Sequence, residues 1–160
     1  MSAVYVASPL GFTEPTRLFY EQVLLPAVQA RGLEALDPWS SSADAFEAAF
    51  ALPAGPEQDE ALEAANAAAG ATNEALLRRC DGVLAVLDGV DVDSGTASEI
   101  GFAAALGKPA VGWRSDLRQA GDNSASVVNL QVEHFLHVSG GGVHPTLDEA
   151  LDELVTLLRR

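Results

Sequence analysis

The chain has 160 residues, enough for one domain that buries roughly two thirds of the surface its unfolded form exposes. Nine lysines and arginines against 23 aspartates and glutamates leave a formal net charge of -14, too few cations to neutralise a run of phosphates. Nucleic acids and anionic membranes are therefore poor partners. No apolar run reaches the roughly 18 residues of a membrane span, and the N-terminal stretch lacks the basic flank of a secretory signal. The single cysteine, Cys80, excludes an internal disulfide and a thiolate cluster, and makes a reducing, cytoplasmic compartment the expectation.

Ala3 to Ser8 (AVYVAS) is an apolar run ended by Pro9 and Gly11, the pattern of a buried parallel strand. Leu18, Phe19, Val23, Leu24, Ala27 and Val28 recur at helical spacing, predicting a helix from Thr13 to about Arg31. Pro15 suits its start, Pro26 should kink or split it, and Gly32 should end it. Leu33 to Trp39 reads as a short second strand that breaks into a loop at Asp37-Pro38. Ser40 to Glu60 is the least regular stretch, predicted as one short helix and a mobile loop.

An alanine-rich helix is expected from about Glu57 to Cys80, with Gly70 a candidate interruption. Asp81 to Gly89 is the clearest strand, followed by a DVDSG turn and a helix closed by Gly107. Lys108 to Trp113 is the next strand, Arg114 to Ser126 a polar loop, and Gly140 to Gly142 a flexible connection. The last helix, TLDEALDELVTLLRR, is amphipathic, with acids first and arginines last as the macrodipole favours. This alternation predicts a single domain, residues 1–160, built as a flavodoxin-like three-layer α/β/α sandwich with a mostly parallel sheet of about five strands. Ligands of such sheets sit beyond the carboxyl ends of the strands, which directs attention to Ser8 to Glu14 and Asp88 to Glu99.

Asp88, Asp91, Asp93 and Glu99 cluster in the second of these loops. Paired carboxylates supply proton transfer or nucleophilic attack at a sugar carbon. Thr96-Ala97-Ser98-Glu99 also has the form of a capping box, and Asp91 and Asp93 that of turn residues, so spacing alone leaves both readings open. At a helix start the dipole would favour ionised Glu99, while Asp93, facing that charge, would hold its proton more readily. Tyr5, near the end of the first strand, is placed to orient a carboxylate or simply to pack in the core.

SPLG lacks a G-x-G-x-x-G pattern and the phosphate-loop lysine, which argues against dinucleotides and triphosphates. His134 and His137 have helical metal spacing without a third ligand, so no metal and no cofactor are expected. No Ser-His-Asp or Cys-His arrangement is evident.

With these residues in view, the chain resembles the nucleoside 2-deoxyribosyltransferases. The likeness runs through YVASPLGF, Asn73 to Asp81, SDLRQ…VVNLQVEHF and, most specifically, LDGVDVDSGTASEIGFAAALGK. Asp93-Ser94-Gly95-Thr96-Ala97-Ser98-Glu99 fits the family's D-x-G-x-x-x-E loop without a gap. The resemblance implies Glu99 as nucleophile, Asp93 as the carboxyl group engaging the base, and Tyr5 as the residue orienting the glutamate. It further implies Asn73 at the base edge, Ser8, Phe12, Asp88 and Gly95 at the substrate, and Asn129 reaching the pocket of a neighbouring subunit in a homo-oligomer with shared active sites. Substrates would be deoxyribonucleosides and free purine or pyrimidine bases, without cofactor or metal. Arg17 stands where related nucleotide N-glycosidases carry a basic residue, which keeps hydrolysis of nucleosides or their 5-monophosphates as an alternative. A non-catalytic nucleoside or nucleotide sensor is a further one. The C-terminal helix and the helix around Asn73 are candidate interfaces or core helices.

Overall fold

The computed structural model describes residues 1–160. Five strands, β1 (Ala3–Ala7), β2 (Glu34–Leu36), β3 (Gly82–Val86), β4 (Ala110–Trp113) and β5 (Val143–His144), form one all-parallel sheet ordered β2-β1-β3-β4-β5. Parallel strands need crossovers, and the helices that supply them cover both faces. Every residue of β1 and β3 is buried, which explains why both read as unbroken apolar runs rather than alternating ones. Side-chain alternation nonetheless sorts them. Tyr5, Ala7, Val83 and Ala85 face one core, with Leu77, Ile100, Ala103 and Leu136. Val4, Val6, Leu84 and Val86 face the other, with Tyr20, Leu24, Val28, Leu151 and Leu154. Each fully buried aliphatic side chain contributes about 1.5–3 kcal/mol through removal from water.

Helices α1 (Glu14–Phe19) and α2 (Leu25–Ala30) occupy the predicted first helix, joined by a wide π-turn over Tyr20–Leu24. Pro26 has no N–H for the preceding turn, and the Leu25 N–H bonds back to the Tyr20 carbonyl five residues earlier. The proline thus widens the helix instead of breaking it. The last helix expected from sequence is present at Leu147–Leu158, and its apolar side packs into the sheet through Ala150, Leu151 and Leu154.

Ser40 to Glu60 holds the expected helix and loop, but the helix starts earlier, at Pro38, and runs longer than a short one. Helix α3 (Pro38–Phe50) fills most of it, because Asp37 caps the Trp39 N–H and Pro38 takes the first helical turn. The Asp37-Pro38 pair is a helix start rather than a loop. Helix α4 (Pro56–Arg79) runs through Gly70 without interruption, the Gly70 position having open space around it. Helix α5 (Ser94–Ala105) begins at an Asp93 cap, so Glu99 lies in its second turn. Helix α6 (Leu130–Val138) is capped by Asn129, and α7 is the Leu147–Leu158 helix. The glycine run is no loose tether: a Cβ on Gly141 would stand 2.1 Å from the Ala110 carbonyl oxygen, and the Gly112 N–H bonds the Gly142 carbonyl. Those glycines let β5 approach β4 closely.

Candidate active site

Strand order reverses between β1 and β3, and beyond their carboxyl ends lies a cavity of about 1060 Å³. The wall is assembled from Ser8 after β1, the turn Leu10–Phe12, α1 with the π-turn that follows, one side of α3 along its length, one face of α4 and the start of α5. Asn66 and Asn73, two turns apart on α4, share that face. A Cβ at Gly11 would sit 2.2 Å from the Trp39 indole, so only glycine lets the first loop pass beneath this ring. Trp39 Nε1 donates to the Ser8 carbonyl at 3.0 Å, and Phe12 stands edge-on to the indole at 4.6 Å.

Glu99 faces the cavity. Its Oε1 accepts the Tyr5 hydroxyl at 2.5 Å, and its Oε2 has no donor within the chain. Burial pushes the Glu99 carboxyl up to about 7; the Tyr5 bond opposes this and the Asp93 charge adds to it. This reverses the expected direction, because the dipole acts mainly within the first turn and Glu99 sits beyond it. Burial and the Glu99 charge together push the Tyr5 phenol far above its ordinary value, so it stays a neutral donor.

The capping box that spacing left open at Thr96 is not formed. Asp93 Oδ2 accepts from the Thr96 N–H at 2.9 Å and the Thr96 hydroxyl at 3.3 Å, relieving Glu99 of any capping duty. Asp93 Oδ1 stays open on the cavity wall. Ser8, Phe12, Asn73, Asp93, Gly95 and Glu99 are all brought to one cavity. Asn73 Oδ1 is buried there with no partner in the chain.

Three expected residues lie outside it, and of these Tyr5 is fully buried and reaches the site only through its bond to Glu99. Asp88 turns toward the loop after β4, accepting from the Ser115 N–H at 2.7 Å, the Ser115 hydroxyl at 2.8 Å and the Asp116 N–H at 2.8 Å. Its role there is to brace two loops, aided by buried Arg114, whose guanidinium donates to the Leu87, Gly89 and Arg118 carbonyls. Asn129 caps α6 by accepting the Gln131 N–H and does not line the cavity of its own chain. Asp91 accepts from the Val92 N–H as a turn residue, so the four clustered carboxylates separate into a site pair and a structural pair.

Sequence reasoning missed Tyr20, Asp37, Trp39 and Phe46, all on the wall. Asp37 Oδ1 accepts the Tyr20 hydroxyl at 2.8 Å and the Trp39 N–H at 2.9 Å. The available signal was its position directly after the second strand, at the same ligand-binding edge. Arg17, exposed at the wall, donates through Nε and Nη2 to the Gly11 carbonyl at 3.2 and 3.0 Å. Glu21, Asp37, Glu47, Asp93 and Glu99 outnumber this one cation.

A buried, phenol-held carboxylate with one open oxygen suits attack on an electrophilic carbon, and a second carboxylate on the same wall suits proton transfer. A family model described as nucleoside 2-deoxyribosyltransferase matches residues 4–136. Among solved structures, a conserved protein from Enterococcus faecalis V583 is 23% identical over 98% of each chain, with a TM-score of 0.71. A 2-desoxiribosyltransferase from Leishmania mexicana is 22% identical over 98% of each chain, with a TM-score of 0.61. A CMP N-glycosidase from Clostridium botulinum is 17% identical, covering 96% of this chain and 98% of its own, with a TM-score of 0.56. A search of curated protein sequences gives no match. The three structures share the α/β/α fold, and the family match spans most of the sequence: the chain belongs to the nucleoside 2-deoxyribosyltransferase family.

Proposed function

We propose that the chain transfers 2-deoxyribose between nucleobases in nucleoside salvage, through a covalent glycosyl–Glu99 intermediate. The observation that carries this reading is Glu99 itself, half-buried in the cavity, held through one oxygen by Tyr5 and open at the other. The open oxygen forms a bond to the anomeric carbon as the carbon–nitrogen bond breaks. The departing base keeps that electron pair and takes a proton from Asp93. A second base then attacks the anomeric carbon from the vacated face, returns its proton to Asp93 and releases Glu99, so two inversions retain configuration. The oxocarbenium-like states at both steps gain from nearby negative charge. Five wall carboxylates against one arginine suit an uncharged nucleoside better than a nucleotide.

Asn129 supports shared sites. It stands apart from its own cavity, and Val127 and Leu130 beside it expose apolar surface that a second copy would cover. A homo-oligomer whose subunits complete one another's pockets belongs to the same reading. No helix is long and apolar enough to cross a membrane. A cytoplasmic setting suits the unpaired Cys80.

Hydrolysis of a nucleoside or its 5-monophosphate is the second reading. It is favoured by Arg17 on the wall and by the fold shared with the Clostridium enzyme. Purified protein incubated with a deoxynucleoside, with and without a second free base, separates the two. Transfer gives a new nucleoside only when the second base is present, whereas free sugar or sugar phosphate at equal rates in both tubes favours hydrolysis. Intact-protein mass measurement after mixing should show a gain of one deoxyribosyl unit, lost in Glu99→Gln. Turnover by that variant within a few-fold of wild type would remove Glu99 from the mechanism.

A further inference from the structure

Three carboxylates on the cavity wall follow one pattern. Glu99 is anchored by the Tyr5 phenol, Asp93 by the Thr96 amide and hydroxyl, and Asp37 by the Tyr20 phenol and the Trp39 amide. Each is held through a single oxygen, and the other oxygen accepts nothing from the chain. Glu99 and Asp93 have work in the transfer reaction. Asp37 has none so far, although its Tyr20 pairing at the end of β2 repeats the Tyr5–Glu99 pairing beside it.

The surroundings of Asp37 say what it faces. The Tyr5 position pairs with Leu36, so Asp37 follows the strand next to β1, on the opposite side from β3 and Asp93. Phe12, Trp39 and Phe46 come from the first turn and α3, and they give this end of the cavity its flat apolar surfaces. A planar heterocycle gains most by stacking there, while the pentose must stay within reach of Glu99. Asp37 therefore meets the edge of the base. A carboxylate accepts hydrogen bonds and donates none. Opposite the exocyclic position the matching group is an amine, whereas an oxo base sets a carbonyl against the carboxylate oxygen there and keeps its donor on the adjacent ring nitrogen.

Resting on the transfer reading, we infer that Asp37 is a specificity-determining residue that selects amino-bearing bases, adenine and cytosine, over their oxo counterparts, hypoxanthine and uracil. Tyr20 is its positioning residue. Burial and the Asp37 charge hold the Tyr20 phenol neutral, so its hydroxyl remains a donor and fixes which carboxylate oxygen stays open.

Asp37→Asn tests this with little disturbance. The asparagine oxygen still accepts from Tyr20 and Trp39 and still caps α3, while an amide NH₂ replaces the open oxygen. The measurement is the ratio of kcat/KM for deoxyadenosine to that for deoxyinosine, with calorimetric binding of adenine and hypoxanthine to a Glu99→Gln background. Wild type should favour the amino partner, and Asp37→Asn should lower the ratio roughly tenfold or more, toward reversal. Asp37→Ser, which keeps a capping hydroxyl and removes the acceptor, should bring the ratio toward one. Wild-type preference for the oxo partner, or a ratio unchanged in both variants at unchanged melting temperature, overturns the assignment and leaves transfer standing. If neither turnover nor base binding occurs in wild type, the transfer reading falls and takes this inference with it.

Discussion

Glu99 carries two competing influences, and their sizes decide its behaviour. A helix terminus is worth about 0.3–1 kcal/mol to a nearby charge and fades beyond the first turn. Desolvation is larger here, lifting the carboxyl from 4.5 to about 7. Its ionised form, the one the proposed attack requires, therefore fills as pH rises through 7. We expect kcat/KM for a deoxynucleoside to fall about tenfold per unit below that point, and a flat profile across it would assign the limiting ionisation elsewhere. Stability runs the opposite way. The unfolded carboxyl titrates near 4.5 and the folded one near 7, so the contribution of Glu99 is full below the first value and lost as pH rises through the second. Glu99→Gln should accordingly raise stability by about 1–3 kcal/mol at alkaline pH, with the gain shrinking toward acid. Paired thermal melts at the two extremes check this, and an equal shift at both would deny the charge its cost.

Among the elements, α5 shows most clearly what one position of a cap can change. With Thr96 as cap, Glu99 would be bound to backbone; with Asp93 as cap, it is released to Tyr5 and the cavity. Asn caps helices about as well as Asp, so Asp93→Asn should leave the melting temperature nearly unchanged. Loss of the proposed proton transfer should lower turnover by about 10²–10⁴-fold. A large drop in melting temperature with near-normal turnover would make Asp93 purely structural. The sequence exposed β1, β3 and the Asp93–Glu99 spacing because full burial and local chemistry leave direct traces in it. It concealed where α3 begins, since Asp37-Pro38 serves equally as a loop opening or as a cap with a first-turn proline, and only the packing of Trp39 over Gly11 decides. It also concealed β5, where two residues carry no periodicity and the strand exists because glycines admit it. Asp88 misled for a related reason: a carboxylate at the ligand-binding edge looks the same whether it turns to the cavity or to Ser115.

For the molecule as a whole, the order β2-β1-β3 places the ends of three adjacent strands around one opening, so residues from four distant segments meet without a second domain. What a single chain leaves outside that opening is Asn129. If neighbouring copies share pockets, Asn129→Ala and Glu99→Gln proteins, each poorly active alone, should regain activity when mixed and allowed to exchange subunits. Light scattering on the same samples gives the assembly state, and a monomer with full activity would confine Asn129 to capping α6. The chain has only two tyrosines, and both are committed to cavity carboxylates, Tyr5 to Glu99 and Tyr20 to Asp37. Ionisation of the phenol groups is thus a label-free reporter of the two carboxylate bonds. In an alkaline titration the phenolate band should stay silent until the fold opens, because each phenol is buried against a carboxylate.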